Sequence, residues 1–414
     1  MENSRKTALN ILYDIEYNGA YANIAVKNAL HGDVSKQDKA FISALVYGCI
    51  DKKLTLDYVI SKFSKLKLKK LSKYILLILR MGIYQILFMD SVPQSAAVNE
   101  SVKLAKRYGH SASSGYVNGL LRAVSREEIK YPDDKKEYLS VKYSFPVWLL
   151  EKWIDAFGEG FCEKLLEGFS ESPKLILRPN ALKITPDELL NKLNEKNISA
   201  SIKEGAIICE GFDIADDSLY KEGLYTVQDF AAMQTAVVLA PRKGETVIDL
   251  CAAPGGKTTH MAELMKNEGK IFAFDVFEHK IELINKNAKR LGIDIIEAKT
   301  GNSAEPNPEL FEIADKVLCD VPCSGTGILK RKPDIKWNRD KDFDFPTLQS
   351  KILKNAIDYT KRGGEILYST CSIEHEENEG VTDKALGVEK IYEKTFYPHI
   401  DGTDGFYICK LRKI

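Results

Sequence analysis

Cys323, in Asp320-Val321-Pro322-Cys323-Ser324-Gly325, and Cys371, in Tyr368-Ser369-Thr370-Cys371-Ser372, are the residues of this 414-residue chain best suited to covalent chemistry. Each follows an apolar run that reads as a strand, Lys316-Val317-Leu318-Cys319 and Glu365-Ile366-Leu367-Tyr368. Each thiol is therefore expected at the carboxyl end of its strand, the rim where open α/β sheets keep their active sites. Two thiols at one rim suit a disulfide, half a zinc site, or a nucleophile with a helper. The eight cysteines include no Cys-x-x-Cys pair, and the N-terminus carries no apolar signal segment. Both observations argue against a secreted disulfide framework and against a zinc finger, and no metal is expected. Reduced thiols in a cytoplasmic protein are the expectation. Cys49, Cys162 and Cys409 read as small buried hydrophobes. Cys323 and Cys371 do not, because both lie in turn-forming Pro, Ser, Gly and Thr surroundings.

The elements that must position these thiols begin upstream. Thr246-Val247-Ile248-Asp249-Leu250 reads as a strand. Cys251-Ala252-Ala253-Pro254-Gly255-Gly256-Lys257-Thr258-Thr259 follows as a glycine-containing turn, and Met261-Ala262-Glu263-Leu264-Met265 opens a helix. Glycines let backbone approach a ligand, and the free N–H groups at a helix start favour a carboxylate or phosphate. A phosphate-binding P-loop would need glycine at position 251, which is Cys251, so that reading fails. The next strand, Lys270 to Asp275, ends in an acid at the distance where dinucleotide folds place a ribose-binding carboxylate. The competing role for Asp275 is to cap the following helix, Glu278 to Leu291. A ligand with a ribose and a carboxylate but no phosphate grip describes S-adenosyl-L-methionine.

Four stretches together carry a family resemblance: Asp249 to Thr258, Asp320-Val321-Pro322-Cys323-Ser324-Gly325-Thr326-Gly327, Pro333-Asp334-Ile335-Lys336-Trp337, and Ser369-Thr370-Cys371-Ser372. In order, spacing and strand context they resemble the motif series of the RNA cytosine-C5 methyltransferases. The resemblance implies a Rossmann-like class I methyltransferase domain. Cys251, Ala252, Ala253, Pro254, Gly255, Gly256 and Lys257 would form the adenosylmethionine loop, with Asp275 on the ribose. Asp320 would lie beside both methyl donor and cytosine, Cys371 would be the nucleophile, and Cys323 the thiol that releases product. Where the family has Asp after Gly to hold the adenine, this chain has Asn302, an amide that cannot accept with both ends.

Such residues suit the reaction. Carbon 5 of cytosine is a poor nucleophile until a thiolate adds to carbon 6, and cysteine is the side chain most nucleophilic near neutral pH. Lys257, Lys330 and Arg331 are candidates for an electropositive pocket that activates it. Enzymes that methylate exocyclic amines carry a Pro-Pro-aromatic sequence where this chain has Val321-Pro322-Cys323, so ring-carbon chemistry is preferred. His375, in Glu374-His375-Glu376-Glu377, lies in a segment that reads as a charged run and is discounted as a base.

With 59 basic and 59 acidic residues, the chain has no global field to draw in nucleic acid. Local charge must do so. Ser61 to Lys73 holds Lys62, Lys65, Lys67, Lys69, Lys70 and Lys73 and no acid, a candidate grip on a phosphate backbone together with Lys330 and Arg331. Lys336 and Trp337 could stack on or steer RNA, with burial the competing role.

Residues 1–128 show helical periodicity and no convincing strand, an all-α bundle. Arg80 to Leu87, Val92 to Glu100 and Tyr116 to Arg122 resemble the NusB antitermination-factor fold. Fused ahead of the catalytic motifs, this is similar to the bacterial 16S ribosomal RNA methyltransferases of the RsmB (Fmu/Sun) type. Residues 140–235 read as a small α+β, RRM-like region: strands at Lys174 to Asn180, Ala206 to Cys209 and Leu224 to Gln228, and a helix capped by Thr185. Residues 236–414 complete a multidomain chain as the methyltransferase domain. The expected partner is 16S rRNA, with no membrane and no second copy. The alternatives are another RNA target, such as tRNA, or a degenerate domain that only binds RNA.

Overall fold

The computed structural model describes residues 2–31, 34–212, 214, 216–338 and 343–414. The chain folds as two compact units, one of residues 1–170 with 331–338, the other of residues 171–330 with 339–414.

The first unit is helical. Its central helix, Lys73–Phe88, is apolar on nearly every face, and such a helix must be surrounded. Ile75, Ile78, Leu79, Met81 and Ile83 are buried in one core with Leu9 and Leu12 of the helix Glu2–Asn18, Leu45 of Lys36–Asp51 and Leu121 of Ser113–Val124. Ser72 caps the central helix by accepting from Ile75 N–H. Arg80 points from it into this interior and is held by a two-pronged pair with Asp57, at 2.7 and 2.8 Å, which satisfies the guanidinium where water cannot. The expectation of an all-α bundle is met. Three further helices, Lys135–Tyr143, Val147–Phe157 and Glu159–Ser170, belong to the same unit. Thr55 Oγ1 donates to Val141 O, and Leu54 N donates to Ser144 Oγ.

The second unit contains two sheets. The smaller is antiparallel in the order β2-β3-β1-β4, with β1 Leu175–Pro179, β2 Ala200–Lys203, β3 Ala206–Cys209 and β4 Tyr225–Val227. The helix Pro186–Glu195 packs against it behind a Thr185/Glu188 capping box. Strand β2, at Ala200 to Lys203, is not legible in the sequence: all but one of its residues are exposed, so no apolar alternation marks it.

The larger sheet has β5 Thr246–Asp249, β6 Lys270–Asp275, β7 Ile296–Thr300, β8 Ala314–Asp320, β9 Thr360–Thr370, β10 Val388–Phe396 and β11 Phe406–Lys413, in the order β10-β11-β9-β8-β5-β6-β7. The strands from β7 to β9 are parallel; β11 and β10 return antiparallel. Val247, Ile248, Val317, Leu318, Ile366 and Leu367 are fully buried, as parallel strands covered on both faces require. The parallel β5, β6, β8 and β9 therefore release their following loops at one edge.

Candidate active site

The residues of the glycine turn, both thiols, Asp275 and Asp320 all stand at that edge. Strand β5 delivers Cys251 and the glycine turn, β6 ends at Asp275, β8 at Asp320, and β9 one residue before Cys371. Register then brings the thiols together. Asp320 pairs with Ser369 across β8 and β9, and Val321 N donates to Ser369 O at 3.0 Å. The two loops thus emerge side by side, and Cys323 Sγ lies 3.0 Å from Cys371 Sγ. Neither is in a disulfide, and neither is fully buried.

Gly327 permits this approach. Its N–H donates to Cys371 O at 2.9 Å, and a Cβ there would stand 2.0 Å from Gly405 O. Any side chain would force the loops apart.

Asp320 sits beside the pair. Its Oδ1 accepts from Ser369 Oγ at 2.8 Å, and its Oδ2 pairs with Lys257 Nζ at 2.5 Å. Burial works against the Lys257 charge, but Asp320, with a smaller contribution from Cys371, outweighs it and holds the ammonium above its ordinary pKa. Lys257 is thus a fixed positive charge that acts on Cys371. The Cys323 thiol is pushed well up by its hydrogen bond with Cys371, by burial, and by the negative charges of Cys371 and Glu377.

The glycine turn has the shape of a ligand cradle. Gly255 has φ +100°, a left-handed conformation that side chains rarely adopt, and a Cβ there would be 3.2 Å from Ile284 Cα. A Cβ on Gly256 would meet nothing within 4 Å, so the start of the helix Gly256–Leu264 faces open space. The Ala253–Pro254 peptide is cis. Beneath the turn Asp249 is buried, its Oδ2 accepting from Thr258 Oγ1 at 2.7 Å; burial pushes its carboxyl up to about 7, against that hydrogen bond. Arg178 of β1 fastens the turn from the other side, donating to Gly256 O at 2.6 Å, to Thr259 Oγ1 and to Glu263 Oε1, and bonding Gln228. Arg178, an interior arginine in the small sheet, carries no motif signal in the sequence.

Asp275 is buried at its strand end. It does not cap the following helix: Phe277 takes the N-cap position of Glu278–Leu291, while Asp275 accepts from Phe277 N at 3.2 Å and pairs with Lys280 at 3.4 Å. Asn302 is exposed and occupied by its own turn, accepting from Ala304 N and donating to Glu305.

The lysines 62, 65, 67, 69, 70 and 73 are all exposed on the helical unit, where Lys73 lies over the Tyr17 ring and Lys62 over Tyr58. Lys330 and Arg331 are partly exposed. Lys336 takes the buried alternative, and Trp337 is half-buried. Lys336 Nζ pairs with Asp51 at 2.7 Å, and Trp337 Nε1 donates to Ile50 O at 2.7 Å, so these side chains brace the helical unit. The charged reading of Glu374 to Glu377 holds for His375 and Glu376, which are exposed, and fails for Glu374 and Glu377, which are buried. Among the described residues no cluster of three or more His, Cys, Asp or Glu could hold a metal, and no helix is long and apolar enough to cross a membrane.

The profile of the 16S rRNA methyltransferase RsmB/F family matches residues 236–412, the NusB family residues 2–126, and the ferredoxin-like domain of RsmF/B-type methyltransferases residues 145–213. The chain is 35% identical over 99% of its length to the probable ribosomal RNA small subunit methyltransferase B of Bacillus subtilis (strain 168), covering 98% of that protein. The chain belongs to the RsmB/F methyltransferase family. Among solved structures, PH0851 superposes with TM-score 0.82 at 28% identity over 100% of this chain and 99% of that one. A methyltransferase homologue from Pyrococcus horikoshii gives 0.59 at 30% identity over 67% of this chain and 98% of its own. A member of this family takes S-adenosyl-L-methionine as its cofactor. The open helix start at Gly256 and the buried carboxylate at Asp275 are the kinds of group such a ligand needs.

Proposed function

We propose that this chain methylates carbon 5 of a cytosine in 16S ribosomal RNA, in the cytoplasm, through a covalent bond between Cys371 and carbon 6. The observation that carries this reading is the 3.0 Å thiol pair with the Lys257–Asp320 ion pair beside it. Methylation of an exocyclic amine needs no thiol. Two thiols in contact at a sheet edge suit a reaction with one addition and one elimination.

The residues divide the work. Residues 251–257 and Asp275 would hold the cofactor, which supplies the methyl group. A Cys371 thiolate would accept a hydrogen bond from Cys323 S–H and feel the nearby Lys257 charge, both of which stabilise the attacking form. Attack on carbon 6 would break the C5=C6 π bond and build negative charge toward the ring nitrogen and carbon 5, beside Asp320 and the Lys257 ammonium it holds. Once Cys371 has become a thioether, the hydrogen bond that most raises the Cys323 pKa is gone, and Cys323 becomes easier to deprotonate. Once its own proton has passed to solvent, the Cys323 thiolate takes the carbon 5 proton, the C–H electrons restore the ring double bond, and the C6–S bond breaks with its electrons leaving on Cys371. The relatives' names as small-subunit rRNA enzymes and the lysine segment of the NusB-like unit support 16S rRNA as the target.

Two substitutions test the assignment on a denaturing gel. Cys371→Ala should abolish turnover and leave no protein–RNA adduct, whereas Cys323→Ala should accumulate one. The reverse pattern would exchange the roles. Bisulfite sequencing of RNA from cells with and without the gene would name the cytosine, and an unaltered 16S profile would remove that substrate.

A further inference from the structure

Glu377 is only 2% exposed, yet it lies in a segment with the composition of a solvated charge run. Its hydrogen bonds explain the burial. Oε2 accepts from Ser324 N at 2.8 Å and from Gln349 Nε2 at 3.1 Å; Oε1 accepts from Ser372 Oγ at 3.0 Å. Ser324 follows Cys323 in the chain, and Ser372 follows Cys371. Gln349, from the helix Phe345–Tyr359, also donates to Pro322 O at 2.9 Å, on the other side of Cys323. One carboxylate thus grips the neighbours of both thiols. Its own backbone is pinned as well, since Tyr368 Oη donates to Glu377 O at 2.6 Å. Cross-links among the loops complete the frame: Ile373 N donates to Thr326 Oγ1, and Asn378 joins Thr370 Oγ1 to Ser372 O.

We infer that Glu377 is a positioning residue that sets the spacing and direction of Cys323 relative to Cys371, and that its task lies in product release rather than in attack. This rests on the thiol roles proposed above. Cys371 has a second support, because it directly follows β9 and Gly327 N holds its carbonyl. Cys323 sits in a loop that follows β8 and depends on groups outside that loop, of which Glu377 and Gln349 hold the residues on either side. A glutamine at 377 has a single accepting oxygen, so an amide N–H stands where the carboxylate accepted on one side, facing Ser372 Oγ in one orientation and the Ser324 N–H and Gln349 amide in the other. It keeps the shape and loses the double grip.

The test uses the full-length chain, S-adenosyl-L-methionine and a 16S rRNA transcript, with Cys323→Ala on the same denaturing gel. Glu377→Gln should keep cofactor binding and its first turnover. Later turnovers should slow on the order of 100-fold, the scale of a reacting group displaced by about 1 Å, as a covalent protein–RNA adduct accumulates. Adding Glu377→Gln to Cys323→Ala should change nothing further, because both act on one step. Glu377→Asp, which keeps the charge but is one methylene short of bridging both loops, is the second variant should Gln fail to fold. Equal losses in first and later turnovers without adduct would mean a merely structural role and overturn the inference. Parent-like turnover would do the same. If Cys323→Ala itself yields no adduct, the thiol assignment fails instead, which separates the two outcomes.

Discussion

Two charge-dense segments, Ser61 to Lys73 and Glu374 to Glu377, look alike as sequence and are opposites in space. In the first, all six lysines are exposed and the chain passes through a short 3-10 turn, Leu68–Lys70, with no buried residue. In the second, Glu374 and Glu377 are buried and His375 and Glu376 are not. Charge density does not decide burial. What decides it is whether donors stand where the carboxylate points: Glu377 meets three, delivered by loops from β8 and β9 and by the helix Phe345–Tyr359. A buried charge is tolerated only with such partners.

The largest effect that could break this contrast is on RNA binding. Replacing Lys65, Lys67, Lys69 and Lys70 with Gln should flatten the salt dependence of binding to 16S fragments. Each phosphate that is no longer neutralised takes about 0.7 to 0.9 from the slope of log affinity against log salt. Adenosylmethionine affinity and thermal stability should not move. An unchanged slope would make the segment a solvated face and nothing more.

Next in size is stability at the acidic segment. Glu377→Ala strips a buried acceptor from three donors and should cost about 2–5 kcal/mol in urea unfolding, whereas the lysine variant should cost nothing measurable. If the alanine variant unfolds at the same urea concentration as the parent, Glu377 is not the frame its hydrogen bonds describe.

The smallest effect sharpens the rule about partners. Asp249 is buried with one hydroxyl donor at 2.7 Å and a long hydrogen bond from Cys251 N at 3.4 Å, and its carboxyl is raised to about 7. The folded state therefore binds a proton that the unfolded state has lost between the ordinary carboxylate range and about pH 7. The contribution of this group to stability is complete below that window and falls as pH rises through it, by at most about 1.4 kcal/mol per pH unit. Asp249→Asn should gain on the parent from about pH 4 to about pH 7 and hold a constant difference above. A difference that ignores pH would show that this carboxyl does not titrate there.

Much of the architecture is legible because it repeats a period or sits in a motif. The helical bundle follows from apolar residues at helical spacing, the parallel strands from short β-rich runs, and the glycine turn from a local pattern whose demand for positive φ at Gly255 is met within a few residues. The glycine turn, both thiols, Asp275 and Asp320 arrive at one sheet edge, whereas Lys336 and Trp337 of the Pro333–Trp337 motif go to the helical unit. Strand β2 and the interior Arg178 are not legible, since neither carries a pattern along the chain.

The sequence by itself determined which residue types can react, two thiols, an aspartate and a lysine, and that each follows a strand. It could not decide that Cys323 and Cys371 touch, because 48 residues separate them and only the Asp320–Ser369 register sets their loops side by side. Nor could it decide that Lys336 is an anchor while Lys65 faces water, or that Glu377 is buried while Glu376 is not. Those outcomes depend on hydrogen-bond partners supplied by distant segments. A charge has the same local character in either case, and only the folded neighbourhood sets the free energy of removing it from water.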